Sequence, residues 1–429
     1  MLRDEWLKMK KILWTVNLIP KNLANILKID TVVLGGWVEA MATQLKGNSD
    51  IELAIACKCE PKLIFEKTVV DNITYYAIPY LQSDSVEKLE GIIENIVRDY
   101  QPDIVQIEGT EFLHAKAMLN VGKKCNIPTI ASMQGILNGQ YNYQCGQIHT
   151  DDLMLSKSLV EIFAGWYLHM RKTRWYKPRM KPERDIISSA EYILGRTTWD
   201  RAHTYSINPY AKYFSVNRVL REPFYHKDWD ISNIERHSIY VGNGYLALKG
   251  LHFVIRALPL LIREYPDVKV YVAGNKPYLK NDKRPFYKKG FGAYIKKLVE
   301  DLDVEEHIVF TGPLSSDEVA EKLSKVNVYL LCSAVENSPN TLGEAMMVGT
   351  PSVAAYVGGV PDMAVDGKEA LFFRNDDPEL LAWNVKRIFD NDELALTLSK
   401  NAKKRASITH DPIKNAEDLV NVYKEIIKE

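Results

Sequence analysis

Short apolar runs alternate with amphipathic helical patterns along almost the whole of this chain, and that alternation restricts the fold more than any other feature. Strands that are apolar throughout must be covered on both faces. Helices with a single apolar stripe supply the cover, so the pattern specifies an α/β protein with parallel sheets. The first half carries expected strands at Lys11–Val16, Ile51–Cys57, Ile73–Pro79, Asp103–Glu108, Ile127–Ser132, Glu191–Gly195 and Ala211–Val216. Among the helices between them, Asp84–Tyr100 opens with Asp84 and Glu87 at capping-box spacing and continues with Val86, Leu89, Ile93 and Ile96 on one stripe. A second series begins near Ser238. Its strands are Ser238–Val241, Val268–Ala273, His307–Thr311, Val328–Leu331, Ser352–Ala355 and Ala370–Phe373, and its helices are Leu251–Glu264, Phe291–Leu302, Asp317–Leu323 and Asn340–Val348. Pro259 marks a kink in the first of these helices.

A length of 429 residues fits two domains better than one core. Residues from Arg221 to Ser232 follow neither period and read as a linker, which separates 1–222 from 223–411. The last amphipathic stretch, Asn415–Lys428, is a closing helix. Two open α/β sheets in tandem are expected to bind ligands at the carboxyl ends of their strands, around one cleft. Lys plus Arg and Asp plus Glu balance at 55 each, which argues against a general nucleic-acid binder. The start Met1–Glu5 has no apolar signal core behind it, and no run of about 18 apolar residues occurs. Of five cysteines, Cys57 and Cys59 lack a second Cys/His pair for zinc, so reduced thiols in a cytoplasmic protein are expected.

The chemistry concentrates in Cys332–Gly359. The strand Val328–Leu331 enters a loop that ends at Ser338-Pro339, read as N-cap and first helical position of a helix that Gly349 stops. A helix N-terminus at a strand's carboxyl end leaves the Asn340 and Thr341 N–H groups for an anion such as phosphate. Glu336 precedes that helix and Glu344 lies one turn inside it, on the face of Asn340 and Thr341. A carboxylate beside a diphosphate serves best as an acceptor for sugar hydroxyls, which suggests a hexose for one glutamate and a ribose for the other. The loop Gly242-Asn243-Gly244, leading to Lys249-Gly250, offers close backbone approach and a phosphate-reaching cation. Gly274, after the next strand, and Gly35-Gly36, opening a helix Trp37–Leu45, are further donor-binding candidates. No GxGxxG accompanies Gly35-Gly36, which argues against a dinucleotide dehydrogenase.

At these residues the sequence resembles glycosyltransferase family 4. The E-x7-E motif stands as Glu336…Glu344, GTPSVAAYVGGVPDM follows it, and Tyr240–Gly250 resembles the family's phosphate loop. Looser resemblance runs through PDIVQIEG and IPTIASMQG. The resemblance implies a GT-B fold: two Rossmann-like, doubly wound domains facing a central cleft, with the final helix, 412–429, returning to the first domain. It implies a retaining hexosyltransferase that uses UDP- or GDP-sugar as co-substrate, without metal or other cofactor, acting on a glycan or lipid-linked acceptor in cell-surface polysaccharide synthesis. Carried over, Glu336 meets the hexose, Glu344 the ribose and Lys249 the diphosphate, with Asn340, Thr341 and Gly36 as backbone donors. Three positions depart from the family pattern. Asn243 replaces an arginine whose charge Arg196 or another cation would supply, Gln134 replaces a histidine that meets the sugar, and Pro339 replaces a glycine. Domain motion would hinge near Glu222 and Asp411.

Three Asp-x-Asp sequences, at 228–230, 301–303 and 390–392, fall in linker or helix-end positions unsuited to a metal, and His114, His169 and His203 lie on helical patterns. Residues 166–184 interleave seven Arg and Lys with Trp166, Tyr167, Trp175 and Tyr176, and Glu183 is the one acid. That segment reads either as a solvated basic helix or as a contact with anionic lipid at the inner face of the cytoplasmic membrane. Rival readings are a nucleotide-sugar epimerase or phosphorylase on the same architecture, and a non-catalytic nucleotide-sugar binder.

Overall fold

The computed structural model describes residues 9–29, 35–61, 67–81, 84–278 and 290–428, so the start Met1–Glu5 lies outside the described residues. The chain divides into two compact units. One comprises Met1–Asn138, Arg179–Leu220 and His410–Glu429, the other Gly139–Pro178 and Arg221–Thr409. Where the sequence suggested a break at residue 222, the units part at 220/221. The segment 139–178, expected in the first domain, groups with the second.

In the first unit the strands are β1 (Lys10–Val16), β2 (Ile51–Cys59), β3 (Lys67–Val70), β4 (Ile73–Pro79), β5 (Ile104–Glu108), β6 (Thr129–Ser132), β7 (Tyr192–Gly195) and β8 (Lys212–Ser215). They form one sheet in the order β3-β4-β2-β1-β5-β6-β7-β8. All pairs are parallel except the edge strand β3, which the sequence reading missed. Asp71 and Asn72, both at positive φ (52° and 64°), close the β3–β4 hairpin, the conformation a two-residue turn with right-handed strand twist requires.

Period-2 alternation sends β1 to both faces. Ile12, Trp14 and Val16 join a core shared with the helices Gly36–Lys46 and Pro412–Ile427. Leu13 joins the core beneath Val86–Tyr100 and Leu113–Lys124. Val86–Tyr100 is capped by Ser85, which accepts from Lys88 N at 3.3 Å, and not by Asp84; Asp84 accepts from Leu81 N and Lys88 Nζ instead. The C-terminal helix starts at an Asp411 cap with Pro412 in its first turn. It is pinned where Trp14 Nε1 donates to Tyr423 Oη (2.9 Å) and Tyr423 donates to Gln106 Oε1 (2.6 Å).

In the second unit β9 (Glu235–Val241), β10 (Lys269–Val272), β11 (Ile308–Phe310), β12 (Val326–Leu331), β13 (Ser352–Ala355) and β14 (Leu371–Phe373) form a wholly parallel sheet ordered β11-β10-β9-β12-β13-β14. This is the doubly wound order, with its switch between β9 and β12. Leu251–Ile262 is one continuous helix element with Pro259 inside it.

The stretch read as a linker is packed structure. Phe224 is fully buried, and Trp229 donates to Val326 O (2.8 Å) while its backbone N–H reaches Val348 O. A segment without either period can still be fixed by two aromatic anchors, which periodicity does not register. The segment 139–178 joins this unit through His252 Nε2, 2.9 Å from Gly146 O, and through the helix Leu159–Arg171 lying on Gly290–Asp301. A Cβ at Gly290 would stand 2.5 Å from Tyr167 Cβ, so that crossing depends on glycine.

Candidate functional site

Two loops leave the carboxyl ends of β9 and β12, the adjacent strands at which the winding reverses, and this is where an open α/β sheet leaves a crevice. They are locked to each other by backbone contacts. Ala334 N donates to Leu248 O (2.8 Å), and Cys332 Sγ lies 3.1 Å from Lys249 O. Burial pushes the Cys332 thiol up to about 12, so it stays a neutral donor. Gly250 has φ 75°, and a Cβ there would stand 1.8 Å from Cys332 O. On the other side Gly358 has φ 51°, and its Cβ would stand 1.9 Å from Glu336 O, which also accepts from Gly359 N (3.0 Å). The loop that carries Glu336 is therefore held between two backbones that approach closely only because both positions are glycine.

Within this frame Lys249 Nζ forms an ion pair with Glu336 Oε1, and Ser333 Oγ donates to the same oxygen at 2.7 Å. The two charged side chains are 29% and 13% exposed, so the pair is partly desolvated yet reachable. A cavity of about 140 Å³ is lined by Gly242, Asn243, Lys249, Ser333, Glu336 and Thr341. Asn243 Oδ1 accepts from Tyr245 N (2.9 Å), which shapes the turn.

The helix at the cavity runs Asn340–Val348, as its sequence pattern specified, but its cap differs from expectation. Pro339 is the N-cap residue, not the first helical one, and Ser338 Oγ points to Met363 Sδ (3.8 Å). Pro339 O accepts from Leu342 N and Gly343 N, so Asn340 N–H and Thr341 N–H have no partner within the helix. Because Pro339 stands outside the helical turn, its missing N–H takes nothing from the helix's own set of donors.

Glu344 is only 2% exposed and is absent from the cavity lining. Arg221 Nε and Nη2 donate to its two oxygens, each at 2.8 Å. Burial raises the Glu344 carboxyl above its usual range, and Arg221 offsets part of the rise. Arg221 escaped the sequence reading because it sat in the supposed linker. Gly274, at φ 94°, exchanges two backbone hydrogen bonds with Gly312 and also lies outside the cavity lining.

The remaining sequence candidates belong to the first unit. Gly35, at φ 77°, is the N-cap of Gly36–Lys46, and a Cβ there would stand 2.1 Å from Leu18 Cδ2. Gln134 Nε2 donates to Glu108 Oε2 at 2.7 Å. The Asp-x-Asp aspartates at 228–230 and 390–392 serve structural contacts: Asp228 pairs with Lys403, Asp230 caps a short helix, Asp390 pairs with Lys386 and Asp392 with Arg236. Glu183 is buried, accepting from Leu137 N, Asn138 N and Asn138 Nδ2, and is not the solvated acid of a basic surface.

Comparison with known proteins adds to this geometry. Residues 222–405 match the family described as Glycosyl transferases group 1. An uncharacterized glycosyltransferase of Methanocaldococcus jannaschii is 24% identical over 308 residues, 71% of each chain. Further curated relatives are matched over about half of their own length or less. Among solved structures, sucrose-phosphate synthase from Thermosynechococcus elongatus superposes with TM-score 0.72 over 98% of this chain and 99% of that one, at 14% identity. Anabaena HepE in complex with UDP superposes with TM-score 0.67 over 97% and 100%, at 13% identity. These two share the GT-B fold with this chain. The matched stretch contains the whole β9–β14 sheet and both loops of the cavity, and over that stretch the chain is similar to the group 1 glycosyltransferases.

Proposed function

We propose that this chain is a retaining, metal-independent hexosyltransferase, moving a sugar from UDP- or GDP-sugar to a glycan or lipid-linked acceptor in cell-surface polysaccharide synthesis. The observation that carries the proposal is one cavity at the β9/β12 switch that holds a cation, a carboxylate and an open helix N-terminus. Lys249, with the N–H groups of Asn340 and Thr341, would receive the diphosphate. Glu336 would accept from sugar hydroxyls and favour the positive charge that grows on the ring carbon as its bond to the diphosphate oxygen breaks. The acceptor hydroxyl attacks that carbon from the same face and passes its proton to the departing diphosphate oxygen, so configuration is kept. In the structure Lys249 and Glu336 neutralise each other, and the donor would replace that pair with one partner for each charge. Glu344 retains lone pairs that Arg221 does not use, and these would accept from the ribose. The UDP bound by HepE, on the same fold, supports a uridine donor.

The test is release of nucleotide and sugar from UDP-, GDP-, dTDP- and ADP-sugars, with and without EDTA. Slow hydrolysis of one donor, undiminished by EDTA and lost in Glu336→Gln, is expected. Isomerised sugar released without acceptor would assign an epimerase, and nucleotide binding without turnover on lipid-linked acceptors would assign a binder.

The proposal includes an anionic membrane as peripheral partner. Leu159, Phe163 and Trp166 recur at helical spacing on the helix Leu159–Arg171 and are 69%, 41% and 58% exposed, and Leu155, 85% exposed, precedes that helix. A stripe of that kind, followed by Arg171, Lys172, Arg174 and Lys177, fits insertion into a negatively charged lipid interface. Among the described residues no helix is long and apolar enough to cross a membrane.

A further inference from the structure

The first unit has its own switch point, between β1 and β5, and a second cavity of about 30 Å³ opens there. Trp14, Trp37, Glu108, Asn217, Arg196 and Arg218 are among the residues that line it. The proposed function uses none of its charges.

Two arginines share this cavity, and neither forms an ion pair among the described residues. Arg196 donates through Nη2 to Met133 O, while its Nε is buried with no partner among them. The Arg218 guanidinium carbon lies over an aromatic face, 3.6 Å from the centroid of Trp37. Burial and mutual repulsion push Arg218 well below the usual guanidinium range, and burial lowers Arg196.

Two carboxylates are near, and both are already committed. Glu108 accepts from Gln106 Nε2 (2.5 Å) and Gln134 Nε2 (2.7 Å). Asp200 accepts from Tyr213 Oη, Arg196 N and Thr197 N, closing the capping box of the helix Thr198–Ile207. Neutral amides and backbone thus occupy the acids, while guanidinium donors face the cavity. Arginine's planar fork suits a group with several coplanar or tetrahedral oxygens.

We propose that Arg196 and Arg218 form a binding site for a phosphate or carboxylate group carried by a substrate. The site stands on this geometry alone; its assignment to a substrate rests on the transferase reading. The anion has two possible sources, a charged group on the acceptor and the diphosphate of the donor.

Calorimetric titration of the full chain distinguishes them, with inorganic phosphate, glucose 6-phosphate and UDP as probes, on wild type, Arg196→Gln and Arg218→Gln. At least tenfold weaker binding of phosphate and glucose 6-phosphate in both variants, with UDP unchanged, assigns the site to the acceptor. At least tenfold weaker UDP binding in both assigns it to the donor. Unchanged binding of every probe in both folded variants, or no phosphate or glucose 6-phosphate binding together with arginine-independent UDP binding, overturns the proposal. Should the variants misfold, phenylglyoxal modification of wild type, mapped by mass spectrometry, replaces them: slower modification of Arg196 and Arg218 with a bound probe supports the site, and equal rates reject it. Lys249→Gln run in parallel reports the donor site separately, so either reading can fail while the other stands.

Discussion

Arg221 grips Glu344 through two parallel hydrogen bonds of 2.8 Å, across 123 residues of sequence, and the carboxylate it holds is almost wholly buried. Removing the arginine would leave an uncompensated buried charge. Arg221→Met is expected to cost about 3–5 kcal/mol at neutral pH. Without its partner, the Glu344 carboxyl rises further above its unfolded value. An acid raised by folding favours the fold below its unfolded pKa and loses that contribution as pH rises through the folded one. Urea denaturation should therefore show the variant recovering toward pH 5, and a loss below 1 kcal/mol at pH 7 would deny the pair a structural role.

Glu336 and Lys249 test the chemistry. Glu336→Gln keeps size and one acceptor but removes the charge, so turnover should fall by about 10²–10³-fold, with donor affinity changed far less. Lys249→Gln should act chiefly on nucleotide affinity, because a charged hydrogen bond to phosphate contributes about 1.5–3 kcal/mol. Steady-state kinetics with equilibrium nucleotide titration separates the two. Equal loss of kcat and affinity in both variants would count against the division of roles.

Gly250 gives a backbone prediction. A methyl group there meets Cys332 O at 1.8 Å, at a φ that L residues rarely adopt. Gly250→Ala should lower thermal stability by the equivalent of about 1–3 kcal/mol and displace Lys249 from Glu336. Gly274→Ala meets no atom within 4 Å and pays only the positive φ, so it should be milder. Differential scanning calorimetry of the pair decides the order.

His252 is buried, with Nε2 toward Gly146 O, and burial holds its imidazole down to about 3. A histidine depressed by folding contributes stability that is intact above its unfolded pKa near 6.5 and is lost as pH falls toward the folded value. Wild type should thus lose stability relative to His252→Gln by about 1.4 kcal/mol per pH unit below pH 6.5. Parallel slopes for the two proteins between pH 6.5 and 4.5 would show that the imidazole does not carry the effect.

Liposome flotation tests the apolar stripe. Binding to anionic vesicles should weaken with salt and fall at least tenfold in Leu159→Ser with Trp166→Ser. Equal association with neutral vesicles, or none with either, would remove the membrane from the proposal.

Local pattern determined most of the architecture by itself. Strand positions such as Ile73–Pro79 and Ser352–Ala355, and the helix Asn340–Val348, follow from burial on both faces of a sheet or on one helical stripe, which is a property of spacing alone. The Glu336 loop, Lys249 and the open helix N-terminus were legible for the same reason, since strand end, loop and helix start are contiguous. What spacing could not reach were relations between distant segments. Strand order, and with it the meeting of the Lys249 and Glu336 loops, is set by which sheet edges pair. The packing of 139–178 against Gly290–Asp301 depends on a glycine that carries no periodic signal. Arg221 looked like linker because its partner lies in a helix formed much later in the chain. Arg196 and Arg218 share a cavity only because β7 and β8 end side by side. Such charges are paired, or left without a partner, by tertiary contact, and sequence alone holds no distance between them.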